Sequence, residues 1–180
     1  MTTTRLALAT ACAVLVSPAL AGCSAPPPAP VVAAPRPVAT APSNGYGDKI
    51  AWRGLSEGFT EAAAQGKPIM LVVHASWCPR CKALQPVFFD PTLVDVSDKL
   101  VMINVDQDQE PEVLKHGPDG QYIPRVLFFS AKGELDPELL NPSRTRFKYF
   151  YTPQDDLVGT MRRALERHGE VARDQQERAD

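Results

Sequence analysis

Trp77-Cys78-Pro79-Arg80-Cys81-Lys82 is the stretch on which the fold prediction depends. It follows the apolar run Ile69 to His74, which predicts a buried strand, and Pro79 suits the first turn of a helix. Cys78 and Cys81 therefore lie where a strand gives way to a helix. A helix N-terminus stabilises a thiolate on the first sulfur, and the second sulfur is close enough to resolve a mixed disulfide. The stretch predicts a reversible dithiol with Cys78 as nucleophile and Cys81 as resolving thiol.

Hydrophobic patterns on either side of this stretch predict alternating helices and strands. Helices are predicted at residues 55–65, 79–89, 109–116 and 154–168, and strands at residues 69–74, 100–105, 125–129 and 147–151. Pro86 should kink the second helix, and residues 136–146 should form an exposed loop before the last strand. Strands separated by helices indicate an α/β fold around a mostly buried sheet.

The N-terminus has the pattern of an export signal. Residues 1–22 contain one early positive side chain and then an apolar run that ends in small residues directly before Cys23. This ending resembles the lipobox of bacterial lipoproteins, in which the cysteine is acylated and the signal is cut before it. The alternatives are an ordinary secretory signal and an uncleaved anchor. We expect a signal peptide over residues 1–22 and lipid on Cys23, which would attach the protein to a membrane.

A linker is expected between the lipidated cysteine and the folded domain. Between Ser24 and Ser43, seven of twenty residues are proline and six are alanine, a composition that favours an extended, unfolded spacer. The predicted organisation is a linker over residues 23–45, a folded domain over residues 46–168 and a charged tail over residues 169–180.

Charge and cysteine content exclude several classes of protein. The formal net charge of −2 and the isoelectric point near 5.9 give no sign of a nucleic-acid-binding face. If Cys12 leaves with the signal and Cys23 carries lipid, only Cys78 and Cys81 remain as thiols. The mature chain then has neither a structural disulfide framework nor a four-thiolate zinc site.

Around the dithiol, the chain resembles the thioredoxin superfamily. Trp77 precedes Cys78, and Ile123-Pro124 lies 43 residues after Cys81, at the start of another predicted strand. The resemblance implies a thioredoxin fold, a central mixed sheet flanked by helices, with a loop insertion before the last strand. It also implies that Pro124 is the family's cis-proline, that Cys78 is exposed, and that Trp77, Ile123 and Pro124 bind substrate, with the Ile123 backbone pairing with an extended segment.

A narrower resemblance, covering about residues 46–168, is to the anterior-gradient group, the small single-domain disulfide isomerase relatives of the endoplasmic reticulum. The similar segments are residues 46–53, 74–84, 122–125 and 148–151. The resemblance implies thiol-disulfide exchange on cysteine-containing proteins, with a redox-recycling partner and no cofactor. Those relatives carry a C-terminal retention signal, whereas this chain ends in Glu177 to Asp180. With the lipobox, this indicates a bacterial envelope lipoprotein that faces the periplasm, with the outer membrane slightly favoured by Ser24.

One departure from the superfamily concerns proton transfer. Many thioredoxins carry a buried aspartate six residues before the first cysteine, where it accepts a proton from the resolving thiol. Here that position is Val72. His74 is the nearest ionisable candidate for this role, although a histidine at the end of a strand is more often a packing residue.

The pair Pro79-Arg80 between the cysteines is expected to tune the redox couple. A positive Arg80 and the helix dipole both favour a thiolate on Cys78 and hence a more oxidising couple. The simpler interpretation is that Arg80 is solvated and aids solubility.

Two other functions use the same residues. The cysteine pair could carry copper(I), a soft metal that prefers thiolates. Alternatively, the groove beside Pro124 could bind peptides without catalysis, although two intact cysteines argue against this. The sequence leaves the redox direction, the client proteins and the oligomeric state open.

Overall fold

A mixed four-stranded sheet forms the centre of the domain. The computed structural model describes residues 36–177, with side chains through residue 169. The strands are β1 (Trp52–Arg53), β2 (Ile69–His74), β3 (Val101–Asp106) and β4 (Arg125–Phe129). Their order across the sheet is β1-β3-β2-β4, with β1, β3 and β2 parallel and β4 antiparallel to β2.

Helices cover both faces of this sheet. The α-helices are α1 (Leu55–Gln65), α2 (Pro79–Leu84), α3 (Pro91–Ser97) and α4 (Leu157–Glu177), and two 3₁₀ segments span Gln85–Phe89 and Pro111–His116. Alternate residues of each strand pack into two separate apolar clusters, one on each face. This burial on both faces explains why β2 and β3 have near-continuous apolar sequences. The predicted α/β fold with a mixed central sheet is confirmed.

The predicted elements match most closely beside the cysteines. The bounds of α1, β2 and β4 are as predicted, and the helix that begins at Pro79 changes to a 3₁₀ segment at Gln85, next to Pro86. Proline removes a backbone donor and clashes with the preceding turn, which accounts for the change. The pattern did not predict α3, whose N-terminus is capped by the carboxylate of Asp90.

The predicted strand at residues 147–151 is wrong. No strand is assigned within these described residues, although the Val126 N–H donates to the Tyr149 carbonyl across 2.9 Å. Phe147 adopts a φ of 52°, which breaks an extended backbone, and the Phe150 N–H closes a turn onto its carbonyl. The alternation of aromatic and polar residues arises here from an irregular segment.

The segment just before Tyr46 packs against the domain, although its composition predicts a linker. The N–H groups of Thr40 and Ala41 donate to the Trp52 carbonyl, and the Asn104 side chain donates to the Ser43 carbonyl. These hydrogen bonds join the segment to residues distant in sequence. The proline and alanine content of the segment, on which the linker prediction rested, carries no information about such contacts. The predicted signal peptide, Cys23 and linker residues 23–35 lie outside the described residues.

Candidate active site

Cys78 is placed by the junction between β2 and α2. It is the N-cap of α2, with Pro79 in the first turn, and its Sγ accepts the Cys81 backbone N–H across 3.1 Å. This contact supplies a hydrogen bond that a charged sulfur strengthens, at the end of the helix that favours negative charge. The local structure can therefore stabilise a thiolate on Cys78.

The two sulfurs are covered by their neighbours. Only 4% of Cys78 and 1% of Cys81 is exposed, and both pack with Ala75 and Ile123. The expectation that Cys78 is openly exposed is therefore wrong in this structure, because Ile123 lies against it. Its Sγ is 4.0 Å from the Ile123 carbonyl oxygen.

Trp77 forms an exposed wall beside Cys78. It is 61% exposed, and its indole N–H donates to the Asp108 carboxylate across 2.6 Å. Asp106 fixes the same turn, because its carboxylate accepts the Ser76 N–H at 2.9 Å and the Asp108 N–H at 3.0 Å. The indole N–H is thus held in place while much of the side chain is exposed to solvent.

The loop before β4 also lies beside Cys78. The Ile123–Pro124 peptide bond is cis, as predicted, with Pro124 buried and Ile123 half-buried. Tyr122 anchors this loop: its hydroxyl donates to Asp119 and accepts the Tyr149 N–H at 2.9 Å. The structure therefore brings Cys78, Ile123 and Pro124 together as the sequence predicted.

Cys81 lies on the inner side of the dithiol. Burial, and after it the hydrogen bond with Cys78, raises the pKa of the Cys81 thiol to about 12. The hydroxyl of Tyr46 donates to the Cys81 carbonyl oxygen across 3.3 Å. Cys81 is accordingly a protonated thiol near neutral pH, held beside a buried phenol.

His74 lies in the same buried region. Burial lowers the pKa of His74, while the nearby Asp106 carboxylate and Asn104 act in the opposite direction. Its Nε2 is 3.5 Å from the Asn44 side-chain nitrogen, and its ring centroid is 5.1 Å from that of Tyr46. His74 is therefore neutral near pH 7, and no hydrogen bond joins it to Cys81 among the described contacts.

Arg80, between the cysteines, is exposed and forms no ion pair among the described residues. Its effect on the Cys78 thiolate stays a prediction. Groups of three or more metal-ligating side chains are absent from the described residues, as are helices long and apolar enough to cross a bilayer.

Tyr46 and Asp106 are functional candidates that sequence reasoning missed. Tyr46 stands next to a proline-rich segment, and its contact with Cys81 joins residues 35 positions apart. Asp106 ends β3, in register with His74 at the end of β2. Ends of neighbouring parallel strands meet at one edge of a sheet, so a carboxylate at the end of the second apolar run was a usable signal.

Comparison with known proteins identifies the family. A thioredoxin-like family profile matches residues 51–131. Anterior gradient protein 3 of Xenopus tropicalis is 31% identical over 128 residues, which cover 68% of this chain and 76% of that protein. The chain belongs to the thioredoxin-like family that includes the anterior gradient proteins. Anterior gradient protein 2 homolog of Homo sapiens is 28% identical over 127 residues, covering 68% of this chain and 71% of that protein.

The chain is also similar to a solved structure described as DsbH oxidoreductase. The two share 22% sequence identity with a TM-score of 0.49, over 65% of this chain and 85% of that one.

Proposed function

We propose that this protein is a thiol-disulfide oxidoreductase that acts on cysteines of exported proteins. The observation that supports it best is the position of Cys78: its Sγ caps α2 and lies 4.0 Å from the carbonyl of Ile123, next to the cis bond to Pro124. A nucleophile and a stretch of backbone that can hold a substrate are thus adjacent.

The loop before β4 offers backbone groups that can bind a substrate. In the part of the chain that the structure describes, no backbone hydrogen bond uses the Ile123 N–H. An extended substrate segment can pair with this backbone, as a strand adds to a sheet edge. Trp77 would also contact this segment. A substrate sulfur would then lie at Cys78, between Trp77 and the Ile123 backbone.

The exchange proceeds through one mixed disulfide in either direction. For reduction, the Cys78 thiolate attacks a substrate disulfide and releases one substrate thiol. Cys81 then attacks the Cys78 sulfur, the bond to the substrate breaks, and a Cys78–Cys81 disulfide forms. For oxidation, a substrate thiolate attacks the Cys78 sulfur of that disulfide and these steps run in reverse. A recycling partner restores the starting state.

Turnover of a disulfide-containing peptide by the full chain, with glutathione as the recycling thiol, tests this function. We expect turnover by the wild type and none by Cys78→Ser. One equivalent of copper(I) bound without turnover would favour metal handling instead. Peptide binding that persists without either thiol, again without turnover, would favour a binding module.

We further propose that lipid on Cys23 tethers the protein to the bacterial envelope, facing the periplasm. Small residues directly before this cysteine, after an apolar run, support the proposal. Membrane fractionation of wild type and Cys23→Ser tests it. The variant should move to the soluble fraction, and equal membrane retention of both proteins would contradict lipid anchoring.

A further inference from the structure

A buried tyrosine reaches the resolving cysteine from the loop before β1. Tyr46 is fully buried, and its hydroxyl donates to the Cys81 carbonyl across 3.3 Å. The flanking Gly45 and Gly47 have φ values of 85° and 83°, and a Cβ on Gly47 would overlap the Phe88 carbonyl oxygen. The backbone thus holds this one tyrosine at the dithiol from a tightly constrained turn.

The ring of Tyr46 is fixed by its packing. It makes edge contacts with Phe88 and Trp52, at centroid distances of 5.1 and 6.5 Å. Val72, at the position where many thioredoxins carry the buried aspartate, belongs to the same apolar cluster. A phenol therefore stands near the resolving thiol in a region where β2 supplies no carboxylate.

The groups around the Tyr46 hydroxyl favour a protonated phenol. His74 faces it from β2, Asp106 from β3, and Cys78 and Cys81 from α2. Burial raises the pKa of Tyr46, and negative charge on Cys81, Cys78 and Asp106 raises it further. The hydroxyl therefore stays a hydrogen-bond donor throughout the ordinary pH range. Tyr46 also acts to lower the pKa of the Cys81 thiol, against the larger effect of burial.

We propose that Tyr46 is a positioning residue for the resolving step, in which its hydroxyl turns from the Cys81 carbonyl oxygen to the thiolate that forms on the same residue and stabilises it. This inference rests on the proposed exchange reaction. The Cys81 thiolate attacks the Cys78 sulfur of the mixed disulfide, a Cys78–Cys81 bond forms, and the bond from Cys78 to the substrate breaks. The substrate sulfur leaves with the electron pair and takes up the proton that Cys81 lost. Tyr46 keeps its own proton.

The reaction of the reduced full chain with Ellman's reagent separates the two steps when every protein carries Cys12→Ser and Cys23→Ser, so that Cys78 and Cys81 are the only thiols in the sequence. The first thionitrobenzoate is released when Cys78 attacks the reagent, and the second when Cys81 attacks the mixed disulfide. The proteins to compare are wild type, Tyr46→Phe and the control Tyr151→Phe. Tyr151 is a matched control because it is also buried and its hydroxyl also donates a hydrogen bond, to the Thr160 hydroxyl across 3.2 Å.

Tyr46→Phe should leave the first release within about twofold of wild type and slow the second about tenfold at pH 7, because the variant cannot donate the proposed hydrogen bond to the Cys81 thiolate. The pH profile of the second release should move to higher pH. Tyr151→Phe should change neither release. A second release with wild-type rate and pH profile in Tyr46→Phe would overturn the inference.

Substitution of 3-fluorotyrosine at position 46 tests the same point while keeping the hydroxyl and the packing. A more acidic donor should accelerate the second release, and an unchanged rate contradicts the proposed role even if Tyr46→Phe does not fold. If wild type itself shows no second release, the proposed oxidoreductase function fails. Two releases in the wild type with no response to either change at position 46 overturn only the role of Tyr46.

Discussion

The two cysteines lie three positions apart at the start of one short helix, yet their surroundings differ. Cys78 follows the exposed Trp77 and lies 4.0 Å from the Ile123 carbonyl, and these three residues, at which we propose that substrate binds, are called the open side below. Cys81 lies one turn further on, beside the buried Tyr46, and its pKa is raised to about 12. Cys81, the turn that carries Tyr46, and His74 are called the closed side below. In the proposed function, the same functional group is thus the nucleophile on one side of the dithiol and a protonated thiol on the other. Neighbouring groups rather than the motif itself assign these roles.

The largest expected effect separates the two sulfurs directly. Cys78→Ser should abolish exchange with peptide disulfides, because the attacking sulfur is lost. Cys81→Ser should instead accumulate a mixed disulfide, since Cys78 still attacks but nothing resolves the product. Mass spectrometry of each variant after mixing with a peptide disulfide checks this. A stable adduct on Cys81 in the Cys78→Ser protein would show that the two roles are misassigned.

The closed side should be the more sensitive to backbone changes. Gly47→Ala should destabilise the fold by about 2 kcal/mol, because alanine at a φ of 83° is strained and its Cβ overlaps the Phe88 carbonyl. Gly54→Ala is the control, because a Cβ there meets nothing within 4 Å. Gly54 is the N-cap of α1, where glycine is favoured over alanine, so its loss should be about 0.5 to 1 kcal/mol. Urea unfolding measures both, and equal losses would show that the turn carrying Tyr46 is not constrained.

Protonation of His74, on the closed side, should lower the free energy of unfolding in mild acid. The folded-state pKa of His74 is lowered from its ordinary value of 6.5 by burial, so the unfolded chain binds more protons below that value. Stability should therefore fall as the pH drops below about 6.5, by up to about 1.4 kcal/mol per pH unit for this group.

His74→Gln should flatten this slope in urea unfolding. His116, whose pKa is also lowered chiefly by burial, would account for a residual slope. An identical pH dependence in wild type and His74→Gln would mean that folding does not lower the pKa of His74.

The smallest expected effect concerns the open side. Trp77→Ala should lower the rate of reaction with a peptide disulfide about fivefold, which corresponds to about 1 kcal/mol of lost binding free energy. Its reaction with the small disulfide of oxidised glutathione should change much less. Stopped-flow rates for both substrates test this, and equal losses would show that Trp77 supports the cysteines rather than the substrate.

Local patterns predicted the parts of the fold that local patterns control. β2, the start of α2 and the cis bond before Pro124 could be assigned because each follows from an apolar run, a proline position or a resembling motif. The strand predicted at residues 147–151 was wrong because Phe147 turns the backbone there, which alternation does not reveal. Likewise, Ile123 covers Cys78 by a contact between residues 45 positions apart.

The closed side was the hardest part to predict. Tyr46 reaches Cys81 from a loop beside a segment whose composition resembles a linker, and packing against Trp52 and Phe88 helps to fix it there. Such a role depends on tertiary contacts between distant parts of the chain. The open side was easier because its residues fall within two short motifs.

The most direct test is redox titration of the Cys78–Cys81 couple in glutathione buffers, with the species identified by mass. We expect one two-electron transition that forms an intramolecular Cys78–Cys81 disulfide. A potential above about −200 mV would indicate an oxidase or isomerase, and one near about −270 mV a reductase. A chain that forms only glutathione adducts, and never closes the disulfide, would contradict the division of roles between the two cysteines.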